Sequence, residues 1–168
     1  MRFALIAMLM LGSMELNLAA QKASPVSTNN VTCTFEDGKQ ITLRYKSVPA
    51  SNNLESGKPL MPGGSPMLLF SRAKMSAADS ELPPGAFSVY IVPQTKGKWS
   101  LVINRNVSAD SKYDPTQDIV RLPMDVGKVG TEMKSFTPVL VHAAPKQCNV
   151  RIYEGKQLAW WAGFKESE

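Results

Sequence analysis

Leu82–Asn104 reads LPPGAFSVYIVPQTKGKWSLVIN, and its period decides the fold class. Leu82-Pro83-Pro84-Gly85 does not suit helix interior, because prolines lack the amide donor and Gly85 is free to take positive φ. From Ala86 the chain alternates, with Phe87, Val89 and Ile91 on one face and Ser88 and Tyr90 on the other. Pro93 is expected to stop this strand, and Gln94–Lys98 to form the turn. Trp99, Leu101 and Ile103 then resume the alternation, so the whole stretch reads as a β-hairpin. Val92 and Val102 interrupt its polar side, which predicts a second face that is only partly solvated.

The flanks extend the same pattern. Val31–Glu36 and Lys39–Lys46 alternate on either side of Asp37-Gly38, which predicts a second hairpin with a type I′ turn. Val31, Cys33 and Phe35 share one face, as do Ile41, Leu43 and Tyr45. Val48–Pro66 holds four prolines and three glycines without periodicity and reads as a long loop. Met67–Phe70 reads as a short strand, and Ser71–Ser80 as strand and turn. Downstream, Arg105–Asp118 is a polar loop and Ile119–Met124 a strand. A connection punctuated by Gly127 and Gly130 leads to a strand at Ser135–His142. A last hairpin is expected from Cys148–Tyr153 and Gln157–Phe164, turning at Glu154-Gly155-Lys156. No segment keeps a helical period with caps over three turns. About nine or ten short strands predict a single all-β domain over residues 31–166: an antiparallel β-sandwich, jelly-roll-like or a partly closed barrel.

Residues 1–20 read as a signal peptide. Arg2 supplies the positive start, Phe3–Gly12 the apolar run and Asn17-Leu18-Ala19-Ala20 a small-residue exit. The apolar run is about half of the roughly 20 residues a membrane-spanning helix needs. The expectation is therefore an exported chain, periplasmic or extracellular, with no membrane span after cleavage. Removing residues 1–20 from 168 leaves 148, of which 21–30 form a polar lead-in. The net charge of +5 is scattered without a basic run, which argues against nucleic acid as a partner. The two cysteines, Cys33 and Cys148, suggest one disulfide in an oxidising compartment, closing a loop of about 115 residues. Two buried free thiols are the alternative.

Chemistry-bearing constellations are sparse. Asp110, Asp114 and Asp118 recur every four residues, but Lys112 sits among them and the spacing of known calcium loops is missing. Asp114-Pro115 reads more simply as a turn start. The lone His142 has no acid or nucleophile at a recognisable spacing, and no Gly-x-Ser-x-Gly elbow is present. Asp79, Glu81 and Asp114 would serve a two-carboxylate glycosidase only if the fold brings them together. The scattered methionines suit core filling better than copper. No catalytic residue, cofactor or metal is assigned. Trp160-Trp161 is informative, because adjacent strand residues point to opposite faces: one ring belongs to the core and the other to the surface or a groove. An exposed ring beside polar loops suits a sugar or peptide ligand.

In the order and spacing of Leu82-Pro83-Pro84-Gly85-Ala86-Phe87-Ser88-Val89-Tyr90, Pro93, Trp99, Ile103-Asn104, Tyr113-Asp114, Gln117-Asp118 and Arg121-Leu122-Pro123-Met124, the chain resembles a bacterial exported family, the domain of unknown function numbered 2911. The resemblance implies an exported β-rich domain and no established activity or cofactor. Many members carry a Trp-Arg segment and an acidic residue before the central hairpin. This chain has Lys58–Met67, KPLMPGGSPM, in that place, which puts ligand chemistry through those side chains in doubt. The expectation is a non-catalytic binding or structural module of the cell envelope, its partner an envelope ligand or protein. Tyr113, Asp114 and Arg121 are the candidate contacts, between the Val48–Pro66 and Arg105–Asp118 loops. The alternative is an envelope hydrolase acting on sugars or peptides through loop carboxylates.

Overall fold

A computed structural model describes residues 26–51, 54–108 and 112–167. The expected signal peptide and Asp110 lie outside the described residues. Nine strands follow in order: β1 Thr28–Thr34, β2 Gln40–Lys46, β3 Met67–Ser71, β4 Met75–Ala77, β5 Ser80–Leu82, β6 Gly85–Gln94, β7 Lys98–Asn104, β8 Asp118–Ala144 and β9 Gln147–Glu166. They form one antiparallel sheet, ordered β1-β2-β3-β6-β7-β8-β9-β4-β5, that does not close into a barrel. Among the described residues no helix is long and apolar enough to cross a membrane.

The central hairpin is β6 and β7, in register from Ser88↔Asn104 to Gln94↔Lys98. Phe87, Val89, Ile91, Trp99, Leu101 and Ile103 all join the main core. Complete burial of an aliphatic side chain of this size is worth about 1.5–3 kcal/mol. Pro93 does not stop the strand; it pairs with Trp99 inside β6. Its carbonyl accepts from Gly57 N–H at 2.7 Å, as the Ile91 carbonyl does from Leu60 N–H. The backbone nitrogen of Pro93 therefore faces this loop rather than β7, and no ladder bond is lost. The outer face is buried too: Tyr90, Val92 and Val102 form a small second cluster, covered by Met61 and Tyr113.

The first hairpin forms with a different turn. Gly38 N–H donates to the Phe35 carbonyl at 3.0 Å and Phe35 N–H to the Lys39 carbonyl at 2.9 Å. Of the two turn residues only Gly38 has positive φ. This is a three-residue loop closed by a glycine bulge, and Asp37 contributes through its carboxylate, which accepts from Lys39 N–H at 2.9 Å. β1 also begins at Thr28, three residues before the expected Val31.

The largest departure lies in the C-terminal third. The expected strands at Ile119–Met124 and Ser135–His142 are parts of one 27-residue strand, β8. The expected hairpin at Glu154-Gly155-Lys156 is the interior of the 20-residue β9. The actual turn lies between Ala144 and Gln147. The irregularity between Lys128 and Met133 takes in Gly130, and Gly155 pairs with Met133 between two such irregularities, while Gly127 stays in register opposite Leu158. The first part of β8 pairs with β7, the remainder with β9. The second half of the sheet thus folds over the first across a common core, where Phe136, Leu140, Val150, Ile152 and Phe164 meet Phe35, Ile41 and Leu43. Cys33 on β1 and Cys148 on β9 form a disulfide between the halves, Cα–Cα 6.2 Å apart.

Candidate functional site

Gly155, at φ +58°, decides which side chains of β9 reach solvent. Before it, Val150, Ile152 and Glu154 face the core. A one-residue slip in a strand exchanges its faces, and beyond the irregularity Ala159 is buried while Trp160 is 39% exposed. Trp161 turns inward, edge-on to Phe164 at 5.1 Å between centroids. The Trp160 ring lies against Gly127 of β8: a β-carbon there would sit 3.2 Å from its Cζ3. The glycine thus provides the seat for the ring, and Asp125 is its cross-strand neighbour. Trp160 stands between two open grooves. One, about 470 Å³, is lined by Lys98, Gln94, Ser100 and Asp125 among others; the other, about 300 Å³, by Asn149, Arg151 and Leu158.

The three contacts expected from sequence divide. Tyr113 and Arg121 come together, joined by Asp118, which the sequence offered only as one of three spaced aspartates, and by Asn104, which it did not place at a site. Tyr113 Oη donates to Asp118 Oδ2 at 2.6 Å, and Arg121 Nη2 donates to Tyr113 Oη at 2.6 Å and to Asp118 Oδ2 at 3.2 Å. Wholly buried Asn104 donates from Nδ2 to Asp118 Oδ1 and to the Asp114 carbonyl, both at 2.8 Å. Burial and the Asp118 carboxylate push the Tyr113 phenol up to about 12, so it remains a donor at neutral pH. The Asp114 carboxylate turns away and caps the short 3₁₀ turn Pro115–Gln117 through Thr116 N–H at 2.9 Å. Its bonds to Thr116 hold it below the usual carboxylate range. These groups satisfy one another, and the ring of Tyr113 sits edge-on to buried Tyr90 at 4.8 Å. The arrangement fastens the Arg105–Asp118 loop to the outer face of the hairpin.

The other acids lie apart. Asp79 and Glu81 belong to the β4–β5 hairpin, where Glu81 pairs with Lys74 at 3.0 Å. His142 is exposed on β8 opposite Cys148. Glu154 is the unexpected one. It is only 5% exposed, its Oε1 accepts from Ser51 N–H at 2.6 Å, and desolvation raises its carboxyl above the usual range. It also lines a hollow of about 240 Å³ together with Glu132, Lys156 and Gln157. Continuing the alternation of Val150 and Ile152 by one more step would have placed it inside; reading Gly155 as a turn hid it.

The structure is an all-β fold of one folded-over sheet, tied by a disulfide, with Trp160 between two open grooves. Residues 68–158 match the family described as Protein of unknown function (DUF2911), and the chain belongs to that family. Neither a curated protein nor a solved structure gives a significant match.

Proposed function

We propose that this protein is an exported, non-catalytic binding module of the cell envelope, and that it holds saccharide units of an envelope polymer on Trp160. The observation that carries the reading is the exposed indole, seated on Gly127 and flanked by grooves of about 470 and 300 Å³. A pyranose ring has one apolar C–H face and a rim of hydroxyls. Trp160 supplies the apolar surface, and Lys98, Asp125 and Arg151 supply charged hydrogen-bonding groups around it. Volumes of this size fall in or near the range of small-ligand sites, roughly 300–1,000 Å³. The grooves are open and continuous with the surface, which suits a polymer better than an enclosed metabolite. The cysteine pair, formed as a disulfide, is compatible with an oxidising compartment outside the cytosol.

The test is a titration of ¹⁵N-labelled protein with muropeptides released from purified sacculi. The expected result is a saturable shift of the Trp160 indole N–H with little change at Trp99, which is buried. No change at Trp160 at millimolar muropeptide would refute the reading.

Hydrolysis of the same polymer is the rival, and the Glu132–Glu154 hollow favours it. Retaining and inverting glycosidases need two carboxyls about 5–10 Å apart, one protonated and one ionised. Glu132 is engaged by Lys156 at 3.8 Å. Release of shortened glycan from intact sacculi by wild type but not by Glu154→Gln would establish the rival reading instead.

A further inference from the structure

We propose that Glu154 and the hollow beside it form a second binding site, for a primary ammonium group carried on a short aliphatic stem. The inference is independent of the Trp160 reading. Glu154 Oε1 is bonded to Ser51 N–H, but Oε2 is buried and has no hydrogen-bond partner among the described residues. A buried polar atom left without a partner is destabilising, and native structures rarely keep one without a reason. A donor brought by a ligand removes that cost.

The surroundings specify the donor. Glu154 lines an apolar hollow of about 150 Å³ together with Val48, Leu60, Met61 and Phe136 among others. It also lines the polar hollow that it shares with Glu132. Two carboxyl groups facing one space favour a cation over a hydroxyl. Among the described residues that line the two hollows the one cation is Lys156, 3.8 Å from Glu132, and both of those side chains are exposed, so the pair is loose. At about 30 Å³ per water-sized atom, the apolar hollow takes roughly five non-hydrogen atoms. A four-carbon stem with its nitrogen at Glu154 fits that volume. Burial raises the carboxyl above its ordinary range, and an ammonium N–H donated to the carboxylate offsets that cost of charging it.

The test uses n-butylammonium chloride and, as a neutral isostere, n-butanol, each titrated into ¹⁵N-labelled full chain at constant ionic strength. The expected result is a saturable shift of the Ser51 and Glu154 amides with n-butylammonium, at least tenfold weaker with n-butanol. Glu154→Gln abolishes the preference for the cation, and Trp160→Ala leaves it intact. Equal response to the two probes in wild type, or no response to either, overturns the proposal without relying on any variant. An unchanged preference in Glu154→Gln overturns it as well.

Discussion

Reducing the Cys33–Cys148 bond should weaken the domain by about 5 kcal/mol. The bond closes a loop with a sequence separation of 115 residues. In the chain-entropy model, a loop of that length raises the free energy of the unfolded state by about 5 kcal/mol at 25 °C. The native side changes little, because both sulfurs are buried and free thiols pack as small hydrophobes in the same space. With a urea slope of about 2–2.5 kcal/mol/M, the midpoint should fall by about 2 M on reduction. Equilibrium urea denaturation with and without a phosphine reductant measures it. Position matters as well as size. β1 is an edge strand, and its other backbone ties to the second half of the sheet are few; near the turn, Glu36 N–H donates to the Pro145 carbonyl at 3.1 Å. Amides of β1 should therefore exchange faster on reduction, while those of β6 and β7 keep their protection relative to global unfolding. Midpoints within 0.3 M of each other, roughly 0.7 kcal/mol at that slope, would refute the reasoning: the unfolded chain would then be compact enough without the bond.

Three further outcomes follow from named contacts. Gly163→Ala should destabilise by at least about 3 kcal/mol or prevent folding, because the residue has φ +99° and a β-carbon would collide with the Cys148 backbone; thermal unfolding checks it. Tyr113→Phe removes the phenol between Asp118 and Arg121 and should cost about 1–2 kcal/mol, read as a shift in urea midpoint. Glu154 binds protons more tightly folded than unfolded, so its contribution is full below its ordinary value of 4.5 and is lost as pH rises through the raised one. Wild type should thus lose stability against Glu154→Gln between pH 4.5 and the raised value, and parallel pH profiles for the two proteins would contradict that.

The parts of the fold legible in sequence are those where local pattern and tertiary environment agree. Ile41, Leu43 and Tyr45 alternate, and so do Phe87, Val89 and Ile91, because each strand puts one face on the core. Pro93, Gly127, Gly130 and Gly155 misled for a common reason. Each has a local meaning as a breaker, and each is accommodated by a non-local feature: a loop bonded beside β6 for Pro93, the Trp160 ring over in-register Gly127, and irregularities between two long strands for Gly130 and Gly155. The candidate site was half legible. Adjacent Trp160 and Trp161 announced one inward and one outward ring, but which is which depends on the face exchange at Gly155. Tyr113 and Arg121 were named as ligand contacts, and in the structure they bond to each other and to Asp118. Asn104 and Asp118, 14 residues apart, meet only because β7 and β8 pair.

Whether ligand rests on Trp160 is decided by calorimetry on Trp160→Ala. The substitution forfeits the packing of a ring that is 39% exposed on Gly127, so the midpoint should fall modestly while the protein stays folded at the temperature of the titration. A central aromatic anchor typically contributes at least about 2 kcal/mol to binding, about 30-fold in affinity. Muropeptide binding should therefore weaken by at least about 30-fold in Trp160→Ala, and by a similar amount in Gly127→Val, which unseats the ring. Muropeptide affinity within about twofold of wild type in a folded Trp160→Ala, less than 0.5 kcal/mol on the same scale, would contradict the account.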